Sequence, residues 1–149
     1  MEISDQERAE RSAEAMFAND ATTQELGMRI EAIAPGSASV CMRVTRQMLN
    51  GHSTCHGGYL FTLGDSAFAF ACNSFNQMAV AASASIEFLA PAYLDDELTA
   101  KARVQSQGGR TGLYDVDISN QSGQRVALFR GRSHRLGKPL FDESSPLQR

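Results

Sequence analysis

Residues 50–74 read Asn50-Gly51-His52-Ser53-Thr54-Cys55-His56-Gly57-Gly58-Tyr59-Leu60-Phe61-Thr62-Leu63-Gly64-Asp65-Ser66-Ala67-Phe68-Ala69-Phe70-Ala71-Cys72-Asn73-Ser74. From Gly57 onward, Leu60, Phe61, Leu63, Ala67, Phe68, Ala71 and Cys72 recur close to helical spacing, so the spacing predicts a helix entered through two glycines. A helix that is apolar almost all round has to be buried, and a sheet is the expected wrapping. It nevertheless carries one carboxylate, Asp65, about two turns past the glycines and with no cation nearby in sequence. That uncompensated charge is the sharpest anomaly in the chain.

Working outward, residues 3–19 contain no Gly or Pro, and Ser4 is followed three residues later by Glu7, which is the pattern of a capping box opening a surface helix. Met28, Ile30 and Ala32 alternate with Arg29 and Glu31 as in a strand, Pro35-Gly36 is a turn dipeptide, and Ser37 to Val44 alternates again, giving a hairpin. Thr45 to His56 is a loop leading into the central helix. Beyond that helix, Met78 to Leu89 reads as a strand whose small Ala and Ser residues are expected to lie against something bulky. Asp95-Asp96 turns the chain, Leu98 to Gln105 and Leu113 to Ser119 are strands joined by Gly108-Gly109-Arg110-Thr111-Gly112, and Val126 to Leu136 is the last strand, with Ala127, Phe129, Gly131 and Ser133 on one face. The tail, 137–149, is polar and expected to fray.

With 149 residues and 42% hydrophobic residues the chain suits one domain with a real core. A net charge of −3 without any basic run argues against nucleic acid as a partner. Cys41, Cys55 and Cys72 form no C-x-x-C pair and suit free thiols in a reducing compartment, so a cytoplasmic location is expected. No apolar run reaches the length of a membrane span, and no membrane partner is expected.

The order helix, two strands, long buried helix, then about four strands predicts an α+β fold in which an antiparallel sheet wraps one helix. Together with Asn50, His56-Gly57-Gly58 and Asp65, this order resembles the hotdog-fold acyl-CoA thioesterases, in particular the PaaI type associated with phenylacetate degradation. The resemblance covers about 24–136, so the whole chain is expected to be one hotdog thioesterase domain. It implies hydrolysis of acyl-CoA, with small aryl-acetyl or hydroxylated aryl-acetyl groups as substrates, no cofactor, and homodimers with shared sites that pair into homotetramers.

Thioester hydrolysis needs an activated water or a nucleophile, and donors aimed at the carbonyl oxygen as it becomes an oxyanion. Gly57 and Gly58 at a helix start offer free amides and the positive end of the helix dipole, although a glycine pair is equally a tight corner. Asp65 is a general base or a nucleophile, or simply an aspartate facing solvent, and the sequence leaves base and nucleophile open. The resemblance makes this carboxylate the essential group and gives Asn50 the orientation of thioester or water. By its residues alone, Asn50-Gly51 is as well explained by a turn. His56, next to the helix-start amide, is expected either to contact the thioester region or to fix the loop, in a supporting rather than proton-transferring role, and the resemblance places Ser83 near the attacking water. It also places Gly109, Arg110 and Thr111 near the nucleotide and phosphates of coenzyme A, where Arg110 can pair with a phosphate; Arg103, Arg130, Arg132 and Lys138 are further candidates.

Two other chemistries are set aside. His52 and His56 are four apart, but the segment lacks the glutamate of H-E-x-x-H and runs into Gly57-Gly58, so no metal site is expected. Ser66 beside Asp65 lacks a G-x-S-x-G elbow, so a serine hydrolase is not expected. A non-catalytic acyl-CoA-binding protein of the same fold is the rival reading, and a dehydratase would want a histidine-centred site where this chain has an aspartate.

Overall fold

The computed structural model describes residues 2–145. The elements are α1 (Asp5–Ala18), α2 (Ala21–Glu25), β1 (Arg29–Ala34), β2 (Ser37–Arg43), a 3-10 turn (Arg46–Met48), α3 (Gly57–Cys72), β3 (Ala79–Phe88), β4 (Glu97–Gln107), β5 (Thr111–Ser119) and β6 (Arg125–Arg135). The six strands form one antiparallel sheet in the order β1-β2-β4-β5-β6-β3. α3 lies along the concave side, touching every strand.

Alternation explains the inner face. Gly112, Tyr114, Val116 and Ile118 of β5 are buried every second residue, as are Leu98, Ala100 and Ala102 of β4. On β6 the expected face, Ala127, Phe129, Gly131 and Ser133, is buried against the helix. Aromatic rings fix the contact: Phe68 of α3 meets Tyr114 edge-on at 5.8 Å and Phe129 at 5.9 Å, and Phe61 meets Phe129 at 5.2 Å. The sheet does not close round α3 completely. Gly58, Thr62, Asp65 and Ala69, spaced by four, three and four residues, form a stripe along the helix that is exposed or only half-buried.

Several local expectations meet competing physics. The Ser4 hydroxyl accepts from the Glu7 amide at 3.0 Å, as the capping box requires. The Pro35-Gly36 turn forms, with Gly36 at φ +76°, a left-handed conformation that suits glycine. A bulge between Ile30 and Ala32 breaks the alternation of β1, so Ile30 and Ile33 pack on the core while Ala32 is exposed. The Ala/Ser-rich β3 has no bulky neighbour across most of its length: it is an edge strand, paired with β6 alone, and exposed from Val80 to Ser85.

The short helix α2 is absent from the sequence reading. The tail to Ser145 does not fray. Arg8 donates through Nε and Nη2 to Glu143 at 2.8 and 3.0 Å, Asn76 Nδ2 donates to the Phe141 carbonyl at 3.0 Å, and the Arg11 guanidinium sits 4.5 Å from the Phe141 ring. The bonds from Arg8, together with one from Asn76 Nδ2 to Glu143 Oε2 at 3.0 Å, hold the Glu143 carboxyl down to about 2. The tail's last residues, 146–149, lie outside the described residues.

Gly131 allows β6 to approach the helix, since a Cβ there would meet the Phe68 ring at 2.8 Å. Gly131→Ala is expected to cost about 1–3 kcal/mol by overpacking. Gly51→Ala, with nothing within 4 Å of its Cβ, is expected to change stability by less than ~0.5 kcal/mol. Urea unfolding of both variants checks this.

Candidate active site

The loop before α3 is built by its own polar groups. The Asn50 side-chain carbonyl accepts from His52 N at 2.9 Å, from Thr54 N at 3.2 Å and from the Thr54 hydroxyl at 3.2 Å. That closes the loop and leaves the Asn50 amide nitrogen without a partner among the described residues, a donor available to a ligand. Cys55 N donates to Ala92 O and His56 N to Met48 O, both at 2.7 Å, which aims the chain into the helix. His56 is the N-cap residue, with an exposed side chain that makes no capping bond. It precedes the helix, so His52 and His56 do not share a helical face.

Gly57 and Gly58 form the first turn of α3, and their amides have no acceptor among the described residues. The two glycines differ. A Cβ on Gly58 would meet nothing within 4 Å, whereas one on Gly57 would meet the tip of the Phe88 ring at 2.8 Å. Phe88 is 55% exposed, at the far end of β3.

Asp65 sits on the uncovered stripe of α3. It is half-buried and makes no hydrogen bond or ion pair among the described residues. Burial raises its pKa above the ordinary carboxylate value, and the negative charge of Asp20 raises it further. The neighbouring Ser66 hydroxyl is 3.1 Å from that of Thr23, a contact brought by α2. Ser83 is exposed on β3, just past a bulge between Ala81 and Ser83. Counted from the Asn73–Ala79 contact at the end of the helix, both Ser83 and Asp65 lie roughly 10–13 Å along their elements.

Gly109, Arg110 and Thr111 are exposed on the β4–β5 hairpin. Arg110 O accepts from Arg135 N at 2.7 Å, and Arg135 is paired with Ala79, so this loop stands at the C-terminal end of α3. Arg110 has no ion-pair partner among the described residues, while Arg130 is held by Asp115 and Arg125 by Asp117. The chain therefore brings Asn50, His56 and Gly57 together at one end of α3, sets Asp65 at its middle, and leaves the Arg110 loop at its other end.

The thiols do not compete for the chemistry. Cys41, Cys55 and Cys72 are buried and free, and burial pushes Cys55 up to about 11 and Cys72 up to about 12, so both stay protonated at neutral pH. Sequence reasoning missed Asp20 and Thr23. Their one signal is an Asp three residues before a Thr, at the cap of a helix too short to show periodicity.

Comparison with known proteins agrees with this architecture. The sequence profile described as the thioesterase superfamily matches residues 52–127. The acyl-coenzyme A thioesterase PaaI of Escherichia coli K12 is 51% identical over 137 residues, covering 92% of this chain and 98% of that protein. The structure of E. coli PaaI, described as from the phenylacetic acid degradation operon, superposes with a TM-score of 0.90 at 51% identity, covering 91% of this chain and 99% of that one. A hypothetical thioesterase protein from Streptococcus pneumoniae TIGR4, solved with coenzyme A, gives a TM-score of 0.73 at 34% identity over 76% of this chain and 88% of that one. The chain belongs to the thioesterase superfamily, and it is a thioester hydrolase of the hotdog fold.

Proposed function

We propose that this chain hydrolyses acyl-coenzyme A thioesters, with small aryl-acetyl or hydroxylated phenylacetyl groups as the acyl class, at a site shared by two protomers. The observation that carries the reading is Asp65: a single carboxylate on an apolar helix, without a partner among the described residues, on the stripe the sheet leaves open. As general base it takes a proton from water, whose oxygen adds to the thioester carbon and expels the coenzyme A thiolate; as nucleophile it adds to that carbon itself and expels the thiolate, leaving an anhydride that water cleaves to the free acid and the regenerated carboxylate. Either way the thioester oxygen needs donors. The Gly57 amide and the Asn50 side-chain nitrogen supply them, with His56 beside them and Ser83 placing the water.

The acyl class is supported by the E. coli relative alone, named for acyl-CoA hydrolysis and for phenylacetic acid degradation. Three buried free cysteines suit a reducing compartment such as the cytoplasm. An acyl-CoA panel, read with a thiol-reactive dye, tests the function, and the protein's own buried thiols keep the background low. No released thiol from any substrate would favour a non-catalytic binder, and faster turnover of straight-chain than of aryl-acetyl substrates would overturn the acyl class.

Asp65→Asn is expected to lower kcat by about 10²–10⁴-fold, the range for loss of an acid–base group. Its raised native pKa means that the folded state keeps the proton longer than the unfolded one, so stability falls as pH rises through the two values. At neutral pH the Asn variant is therefore expected to melt at the same temperature or higher. A folded variant with wild-type kcat would sink the assignment.

Arg110, free of any ion pair among the described residues, is the reading's phosphate contact, with Gly109 and Thr111 flanking it. Arg110→Ala is expected to raise KM about tenfold and hold kcat, as loss of a charged hydrogen bond remote from the scissile bond would. An unchanged KM at low salt moves the phosphate site elsewhere.

The shared site follows from helix geometry. Gly57 and Asp65 are eight residues apart on α3, about 12 Å along the axis, whereas base and oxyanion donor must both come within about 3 Å of one carbonyl. A two-fold axis that pairs two α3 helices through the open stripe brings Gly57 of one protomer to Asp65 of its partner. The unpaired edge of β3, with Val80, Phe88 and Leu89 exposed beside it, supports the same pairing, and two such dimers make the tetramer. Complementation tests it. Asp65→Asn and Gly57→Val, each inactive alone, are expected on co-refolding at equal concentration to recover about a quarter of wild-type activity. Mixed dimers that form yet stay dead would place both groups in one protomer.

A further inference from the structure

Strand β3 ends level with the start of α3, and its last residue is an aromatic ring that the fold leaves half in water. In the pairing with β6, Ile86 lies opposite Phe129 and Phe88 opposite Ala127. Directly opposed residues share a face of the sheet, and Ala127 and Phe129 are buried against the helix, so Ile86 and Phe88 belong to the inner face too. Yet Phe88 is 55% exposed where its opposite number Ala127 is fully covered. The helix begins at Gly57, and that is where the ring meets it: Cζ, Cε1 and Cε2 stand 2.8, 3.2 and 3.4 Å from the place a Gly57 Cβ would occupy. The ring therefore points its tip at the first residue of α3.

The ring's backbone is held on both sides of this contact. Leu89 N donates to Val126 O at 2.9 Å, and Cys55 N donates to Ala92 O at 2.7 Å, which ties the segment after Phe88 to the loop before Gly57. Phe61, one turn further along the helix, meets Phe129 edge-on at 5.2 Å and, like Ile86, is only half-buried. Phe88, Ile86 and Phe61 thus give the helix entrance an apolar border that the core does not use up. A side chain with 55% of its surface in water forgoes about half of what burial would return, and it occupies a place that only a glycine beneath it leaves free.

We propose that Phe88 is the acyl-selecting residue of the thioester hydrolase: its ring is the wall on which a flat aromatic acyl group packs while the thioester oxygen is held at Gly57. This rests on the reading of the Gly57 amide as an oxyanion donor. An oxygen bound at roughly 2.9 Å from that amide nitrogen lies two bonds from the acyl methylene, so a ring carried on the methylene comes within reach of the Phe88 ring. Aromatic rings pack offset or edge-to-face at centroid separations of about 4.5–7 Å, and an aliphatic acyl group gains only the apolar contact. In the paired arrangement proposed above, the same wall borders the crevice that receives Asp65 of the partner subunit.

The test is a ratio. For Phe88→Ala, kcat/KM for phenylacetyl-CoA divided by kcat/KM for acetyl-CoA is expected to fall about tenfold from the wild-type value, the size of one lost pocket contact. Phe88→Leu, which keeps apolar bulk without an aromatic face, is expected to fall between the two, and it carries the test if the alanine variant does not fold. A ring that only propped the helix entrance, or that lay along the pantetheine arm common to every acyl-CoA, would lower both substrates together. An unchanged ratio in a folded variant overturns the proposal. The same ratio is read without turnover by calorimetric titration of phenylacetyl-CoA and acetyl-CoA into Asp65→Asn with and without Phe88→Ala, where the preference for the aryl-acetyl ligand is expected to fall by a similar factor. Wild-type protein that releases no thiol from any acyl-CoA would end the hydrolase reading, and the binding ratio would still decide the role of Phe88.

Discussion

The structure depends on one conflict: an apolar helix must be buried to exist in water, and it carries a carboxylate that must not be buried completely. Burying a large side chain such as Phe68, Phe70 or Leu63 is worth about 1.5–3 kcal/mol, and these are all 0–1% exposed on α3. A lone ionised carboxylate in the same environment costs more than any one of them returns. The fold resolves this by wrapping the apolar and small residues of the sheet's inner face round α3 while leaving the stripe through Gly58, Thr62, Asp65 and Ala69 exposed or half-buried. What would be a packing defect in a purely structural helix keeps the Asp65 carboxylate half-exposed.

The sheet is shaped by the same requirement. Gly131 and Gly64 let β6 and α3 come close enough for Phe68 and Phe129 to interlock, so that the helix is held rigidly by its covered side. Rigidity there is what gives a fixed direction to the open side. The loop from Asn50 to His56 is likewise self-supporting, since one side-chain carbonyl accepts three hydrogen bonds and two backbone bonds tie Cys55 and His56 to neighbouring segments. The backbone at the helix entrance is thus held in place by the protein's own hydrogen bonds.

How much of this was legible in the sequence depends on the range over which each feature is specified. α3, the Pro35-Gly36 turn and the inner face of β6 are set by local periodicity or by one residue's backbone preference, and they appear where the spacing puts them. Asp65 stands out for the same reason: a charge inside an apolar period is visible without any tertiary information. The bulge in β1 is decided by pairing with β2, so Ala32 could not be placed from alternation alone. The small residues of β3 suggested close packing, but smallness is equally suited to an edge, and the strand order that makes it an edge is a non-local fact. α2 spans five residues, too few for a period, and the tail is fixed by Arg8 and Asn76, more than sixty residues away in sequence.

Asn50 shows why motif and mechanism need to be separated. Its reading as a turn residue and its reading as a ligand contact looked like alternatives, yet they use different atoms: the carbonyl oxygen is consumed by the loop, and the amide nitrogen is not. The first use makes the second possible, because a donor on a floppy loop would lose the entropy of ordering each time a substrate bound. Gly57 divides in the same way, with its amide at the helix entrance and its missing side chain making room for Phe88. In a chain of 149 residues, where few side chains can be spared from the core, a group that holds structure with one atom and keeps another free lets a small fold do both.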